Sequence, residues 1–148
     1  MNVPKQVPLE EGFFTIPDEP GEGPRLIGSY SPQADKYFYP RRRRCPITAG
    51  PVEDVLLSTE GVLYSWTFVV DPWFGGSAKF GSADVAGQGV GMVDLPEGVR
   101  IQAPISGVAG QHEWEIGTRM VLELHPVALN SEGDELCAFR FAPIGTGG

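Results

Sequence analysis

Few side chains in this sequence could do chemistry. It has two cysteines, Cys45 and Cys137, and two histidines, His112 and His125. Nucleophilic catalysis needs a base within reach of the nucleophile, and those candidates are thin. His112 sits beside Glu113 and Glu115, a composition that suits a solvated acidic surface. His125 precedes a proline within a strand-like run and reads as a structural histidine. Cys137 lies among apolar neighbours and reads as core. Cys45 follows Arg41, Arg42, Arg43 and Arg44, and such a cluster of cations could lower a thiol pKa. Those four arginines are drawn from only eleven basic residues in the chain. Guanidinium groups pair with phosphates and carboxylates through two parallel hydrogen bonds. The run is either an anion anchor or a solvated basic turn.

The sequence around Cys45 has the layout of a metal unit. Residues 26–48 read LIGSYSPQADKYFYPRRRRCPIT. A short strand at Leu26–Ser29, a turn, an aromatic strand at Lys36–Tyr39, a proline and then Cys45-Pro46 is the order of a rubredoxin-like zinc ribbon. A structural zinc needs four ligands, normally from two C-x2-C knuckles. Only one cysteine is present, so the layout stands without its ligands. A unit of this size has almost no core of its own and must lean on a neighbour when it lacks metal.

Bulk composition narrows the class. The chain has 148 residues, a net charge of −8 and 41% hydrophobic residues. That is one domain with a core, or a small domain plus an appendage. The acidic balance argues against nucleic-acid binding, which wants a basic surface. Two cysteines far apart in sequence do not form a disulfide framework, and a cytoplasmic, reducing location is expected. No signal peptide and no apolar run of membrane-spanning length is expected. Twenty glycines and fourteen prolines leave little room for long helices.

Three regions follow along the chain. Residues 1–25 form an extended arm, because five prolines from Pro4 to Pro24 interrupt any helical period. Phe13, Phe14 and Ile16 dock it, on its own domain or on a partner. Residues 26–50 form the ribbon unit. Residues 51–148 read as β throughout, with strands at Val52–Ser58, Val62–Val70, Val90–Asp94, Val99–Gln102, Met120–Val127 and Leu136–Phe141. Leu95-Pro96-Glu97-Gly98 and Asn130–Asp134 are turns. Residues 71–86 form a glycine-rich loop carrying Trp73, Phe74 and Phe80, aromatics that should cover the barrel mouth or a partner. Tyr64, Trp66 and Phe68 share one face by strand alternation. Short strands, glycine-rich turns and no long helix point to a small barrel of the OB type, with a β-sandwich as the alternative. The segment GQGVG at 87–91 leads into a strand, so it offers no helix N-terminus for a phosphate.

These stretches together resemble the DUF35 family, proteins with an N-terminal zinc ribbon and a C-terminal OB-fold. The likeness rests on LIGSYSPQADKYFYP and RRRRCP, on GVLYSWTFV, on GVGMVDLPEGVRIQAPISG and on FRFAP, and spans roughly residues 8–144. In the family both knuckles carry cysteines; the matching positions here are Ser31, Ala34, Cys45 and Thr48. Hydroxyls are poor zinc ligands and alanine is none. No zinc is therefore expected, and Tyr37, Phe38, Tyr39 and Pro40 must hold the ribbon by packing on the barrel or on another subunit.

The resemblance implies a non-catalytic subunit of a thiolase-like enzyme that makes or breaks carbon–carbon bonds in acyl-CoA thioesters. The catalytic residues would lie on the partner, and a coenzyme A thioester would occupy a shared site. The residues implied in CoA or partner binding are Arg41, Arg42, Arg43, Arg44, Trp73, Phe74 and Phe80; those implied in partner docking are Phe13, Phe14, Tyr37, Phe38 and Tyr39. The alternative is a stand-alone acyl-CoA or lipid-binding OB module. A single-stranded nucleic-acid OB-fold would want a basic groove, which the charge opposes.

Overall fold

The computed structural model of the protein describes residues 5–19, 22–70, 78–80, 83–85, 87–106 and 114–144. Among them the regular structure is all strand: β1 (Gln6–Pro8), β2 (Ile27–Ser31), β3 (Lys36–Phe38), β4 (Glu53–Leu56), β5 (Glu60–Val70), β6 (Ala78–Phe80), β7 (Ala83–Val85), β8 (Gly87–Asp94), β9 (Arg100–Pro104), β10 (Arg119–Leu129) and β11 (Glu135–Pro143).

The main sheet runs β1-β11-β10-β5-β8-β9. β5, β8 and β9 form an antiparallel meander, and β10 and β11 form a hairpin. β10 pairs beside β5 through Arg119↔Val62 and its neighbours. A parallel bridge between Ile105 and Phe141 brings β9 against β11 and closes the sheet on itself. That connectivity is the OB-fold barrel. Inward residues alternate along each strand, as the pleat requires. Leu63, Val93, Ile101, Ile105, Met120 and Phe141 are almost fully buried.

Both barrel hairpins turn where sequence chemistry demands. Gly98 takes a φ of +89° in the β8–β9 turn, and Gly133 a φ of +84° in the β10–β11 turn. Glycine in β8 serves a different end. Trp66 faces Gly91 and Phe68 faces Gly89 across the β5–β8 ladder. A Cβ on Gly89 would collide with the Trp114 ring. The bare backbone lets Trp114 pack edge-to-face on Trp66, at 5.2 Å between ring centroids.

The structure changes three expectations. Tyr64 does not share a face with Trp66 and Phe68: the ladder slips by one residue between Leu63 and Ser65. That bulge reverses the alternation, so Trp66 and Phe68 pack against the core while Tyr64 is 52% exposed, with Arg100 over its ring. The strand expected at 52–58 exists as β4 but pairs with β2, in a three-stranded sheet β3-β2-β4. The segment expected as loop at 71–86 contains a small ribbon, β6 paired with β7.

The small sheet leans on the barrel. Leu26 and Leu57 are wholly buried and belong to the same core as Leu63 and Phe141. The N-terminal arm joins them. Phe14 bridges to Leu26, is 5% exposed and stacks edge-to-face on Phe139 at 5.6 Å. Ahead of it β1 lies parallel to β11, with Val7 opposite Leu136.

Candidate functional site

The residues between β2 and β4 form two turns of the same design. In the first, the Ala34 N–H donates to Ser31 Oγ at 3.2 Å and the Asp35 N–H to the Ser31 carbonyl at 2.8 Å. In the second, the Thr48 N–H donates to Cys45 Sγ at 3.4 Å and the Ala49 N–H to the Cys45 carbonyl at 2.8 Å. Each turn ends in a left-handed residue, Asp35 at φ 52° and Ala49 at φ 62°. Non-glycine residues adopt that conformation only at a cost of about 1–2 kcal/mol, and here two do so at matching places.

Cys45 is buried, and its thiol faces both turns. Burial works to raise its pKa, but hydrogen bonds from the Ser31 and Thr48 hydroxyls and from the Thr48 and Ile47 N–H groups outweigh it and bring the thiol down to about 7. Ser31, Cys45 and Thr48 therefore converge on one point, and Ala34 follows Ser31 in the same turn. As a zinc site the set does not fit: it supplies one thiol, two hydroxyls and a methyl group. Among the described residues, no group of three or more His, Cys, Asp or Glu side chains is arranged to hold a metal ion.

The arginine run is exposed from Arg41 to Arg44, but its members differ. Arg41 pairs with Asp54 at 2.9 Å and lies against Gly12 of the arm. The Arg42 backbone N–H donates to Ser29 Oγ at 2.8 Å, which fixes the chain at that point. Trp73, Phe74 and His112 lie outside the described residues. Phe80 is the last residue of β6.

The aromatic residues of the ribbon unit divide in the same way. Tyr37 is exposed and tilts over Tyr30 at 4.7 Å. Phe38 is half-buried. Tyr39 packs edge-to-face on Phe139 of the barrel at 6.3 Å. Its hydroxyl is buried without a hydrogen-bond partner, and burial pushes its pKa up to about 12. Tyr39, Phe13 and Phe139 line an apolar cleft of about 340 Å³ where arm, small sheet and barrel meet.

One polar network lay beyond sequence reasoning because it crosses strands. Glu123 accepts from Arg140 Nε at 2.6 Å and from Ser106 Oγ at 2.9 Å, and Arg140 Nη1 sits 3.0 Å from His125 Nδ1. Burial, and then the Arg140 charge, hold His125 below the usual imidazole range, with Glu123 opposing them. Arg140 sits against one of the two ring nitrogens of His125. Cys137, wholly buried in β11, has its thiol pKa raised by burial and by Glu135.

Residues 54–125 match the family described as the ChsH2 C-terminal OB-fold domain. A solved structure, the Ltp2-ChsH2(DUF35) aldolase, has the same fold at a TM-score of 0.61 and 22% sequence identity, over 82% of this chain and 86% of that one. A DUF35-family protein of unknown function from Sulfolobus solfataricus aligns at a TM-score of 0.49 and 14% identity, over 80% of this chain and 75% of that one. No curated protein sequence matches. No helix among the described residues is long and apolar enough to cross a membrane.

Proposed function

We propose that this chain, whose residues 54–125 match the ChsH2 C-terminal OB-fold domain, is a DUF35-type protein and the non-catalytic subunit of a two-component aldolase or thiolase-like enzyme. Carbon–carbon bond cleavage or formation on a CoA thioester would take place on the partner. The carrying observation is the ChsH2-type domain match, supported by the shared fold with the Ltp2-ChsH2(DUF35) aldolase.

Several features support a binding role. The thiols and the imidazole that are described serve packing and hydrogen bonding: Cys137 in the core, Cys45 between two turns, His125 against Arg140. Among the described residues, Arg41 pairs with Asp54 and no ion pair engages the exposed Arg42, Arg43 or Arg44. Arg42, Arg43 and Arg44 suit the phosphates of coenzyme A or acidic groups of the partner. Trp73, Phe74 and Phe80 are assigned to the same shared surface, and Phe13, Tyr37, Phe38 and Tyr39 to partner docking. Phe14 contributes by fixing the arm from within the core. The ribbon unit keeps its shape through Tyr39 and the two turns, in place of zinc.

Co-expression with a thiolase-like protein encoded beside it tests the reading. The expected result is co-purification at fixed stoichiometry and turnover of a CoA thioester only by the pair. A buried interface below about 1,000 Å² would count against an obligate subunit. Replacing Arg41, Arg42, Arg43 and Arg44 together by glutamine should leave the fold intact and weaken either the complex or CoA affinity. If neither moves, the anchor role is wrong.

A further inference from the structure

The ribbon unit carries its arginines on a projecting knuckle. Cys45 is the one buried residue between Arg41 and Ala49; the others are exposed. Both ends of the knuckle are fixed. At its start, the buried Ser29 Oγ accepts from the Arg42 N–H at 2.8 Å and donates to the Arg42 carbonyl at 3.4 Å. At its end, the Cys45 N–H donates to the Gly50 carbonyl at 2.9 Å, and the Ala49 N–H donates to the Cys45 carbonyl at 2.8 Å. Between them the Cys45 sulfur accepts from the Ile47 and Thr48 N–H groups. A backbone tied at so many points has little freedom left to lose on binding.

The knuckle presents cations and one apolar side chain. Arg41 is held by Asp54, but among the described residues no ion pair engages Arg42, Arg43 or Arg44. Ile47 follows three residues after Arg44 and is 62% exposed. Adjacent cations on a fixed backbone repel one another unless an anionic group faces them. Three kinds of anion could do so. Small phosphate ligands bind in concavities that cover most of their surface. The apolar cleft beside Tyr39 and the clefts around Ser65 and Arg25 are lined by other residues. Extended polyanions, such as nucleic acid or an anionic membrane, face the whole chain, and its net charge of −8 repels them. A protein surface carries mixed charge. An acidic patch on it can face the knuckle while the rest stays beyond a Debye length of about 8 Å.

We propose that Arg42, Arg43, Arg44 and Ile47 form a docking surface for an acidic patch with an apolar centre on a protein partner. The charges steer the encounter and fix its register, and Ile47 adds apolar burial. The partner's existence rests on the subunit reading above; the knuckle then serves assembly, and coenzyme A lies elsewhere.

The test uses the whole chain, labelled with nitrogen-15, and three probes: a capped peptide with leucine at the centre of a run of glutamates, coenzyme A, and phosphatidylglycerol vesicles. The peptide should shift the amides of Arg42, Arg43, Arg44 and Ile47 saturably, and bind about tenfold more weakly when salt rises from about 50 to about 300 mM. Coenzyme A and the vesicles should leave those amides in place. Arg42→Gln, Arg43→Gln and Arg44→Gln, made together with Arg41 kept, should weaken the peptide by about five- to tenfold. The matching lysine triple should keep most of the affinity. Ile47→Ser should weaken it by about three- to tenfold. The inference is overturned if the peptide moves none of these amides at millimolar concentration, if the glutamine triple binds it equally well, if coenzyme A shifts them at an equal or lower concentration, or if the vesicles retain the chain through them. With the co-expressed thiolase-like protein, the glutamine triple should weaken assembly by about tenfold. A complex indifferent to that triple would remove this inference and keep the subunit reading. Peptide capture by a chain that meets no thiolase-like partner would do the reverse.

Discussion

Ser31→Cys, Ala34→Cys and Thr48→Cys, made together, should turn the two turns into a zinc site. Cys45 already receives N–H groups from Ile47 and Thr48 at 3.4 Å, the pattern that stabilises a thiolate, and Ser31 Oγ accepts from Ala34 in the equivalent place. The variant supplies four sulfurs for a tetrahedral ion. Ser31 is wholly buried, so the larger sulfur strains the metal-free variant by about 1–3 kcal/mol. Zinc at about a thousandfold above its Kd returns about 4 kcal/mol. In a chain of 148 residues each kcal/mol moves Tm by about 2–4 °C, so zinc against chelator should separate the melting points by roughly 10 °C. Scanning calorimetry with equimolar zinc or excess EDTA measures this, and elemental analysis gives the stoichiometry. A folded triple variant that binds no zinc, or whose Tm ignores EDTA, refutes the assignment of these four positions. Adding Cys45→Ser should abolish the gain.

Three shorter predictions follow from the same geometry. The Cys45 thiol titrates near 7 in the folded chain against an ordinary value of 9.0; a depressed acid group stabilises the fold above its unfolded pKa and loses that contribution as pH falls through the folded one. The Tm advantage of the natural chain over Cys45→Ser should therefore grow from pH 7 to pH 9, and a flat difference would refute the hydrogen-bond account. Ala49→Gly relieves a left-handed alanine at φ 62° and should stabilise by about 0.5–1 kcal/mol in urea denaturation. Arg140→Gln removes the cation beside His125 and leaves Glu123 in place, so the His125 pKa should rise in an NMR titration.

What the sequence made legible follows the range of the interactions. The run from Val62 to Val70 and the turns at 95–98 and 130–134 announce themselves locally, through β-branched residues and through Gly98 and Gly133. They set out most of the barrel. The bulge between Leu63 and Ser65 did not show, because alternation on either side of it looks regular. Nor did the parallel pairing of Gln6–Pro8 with β11, since three residues containing a proline carry no strand signal by themselves. The ribbon unit was legible by its layout, and its repeated turn only by its hydrogen bonds. The Glu123–Arg140–His125 network needs the cross-strand register, which no local pattern contains.

The pairing of β1 with β11 has a consequence for how the chain is made. Gln6 and Glu135 touch across 129 positions of sequence. At typical translation speeds of about 5–20 residues per second, the arm waits roughly 6–25 seconds for the strand it joins. Through that interval Phe14 has no Phe139 to stack on, and Leu26 and Leu57 have no barrel to bury them. These apolar residues are thus made well before the strand that covers them. The nascent chain exposes them until β11 emerges, which favours synthesis close to a chaperone.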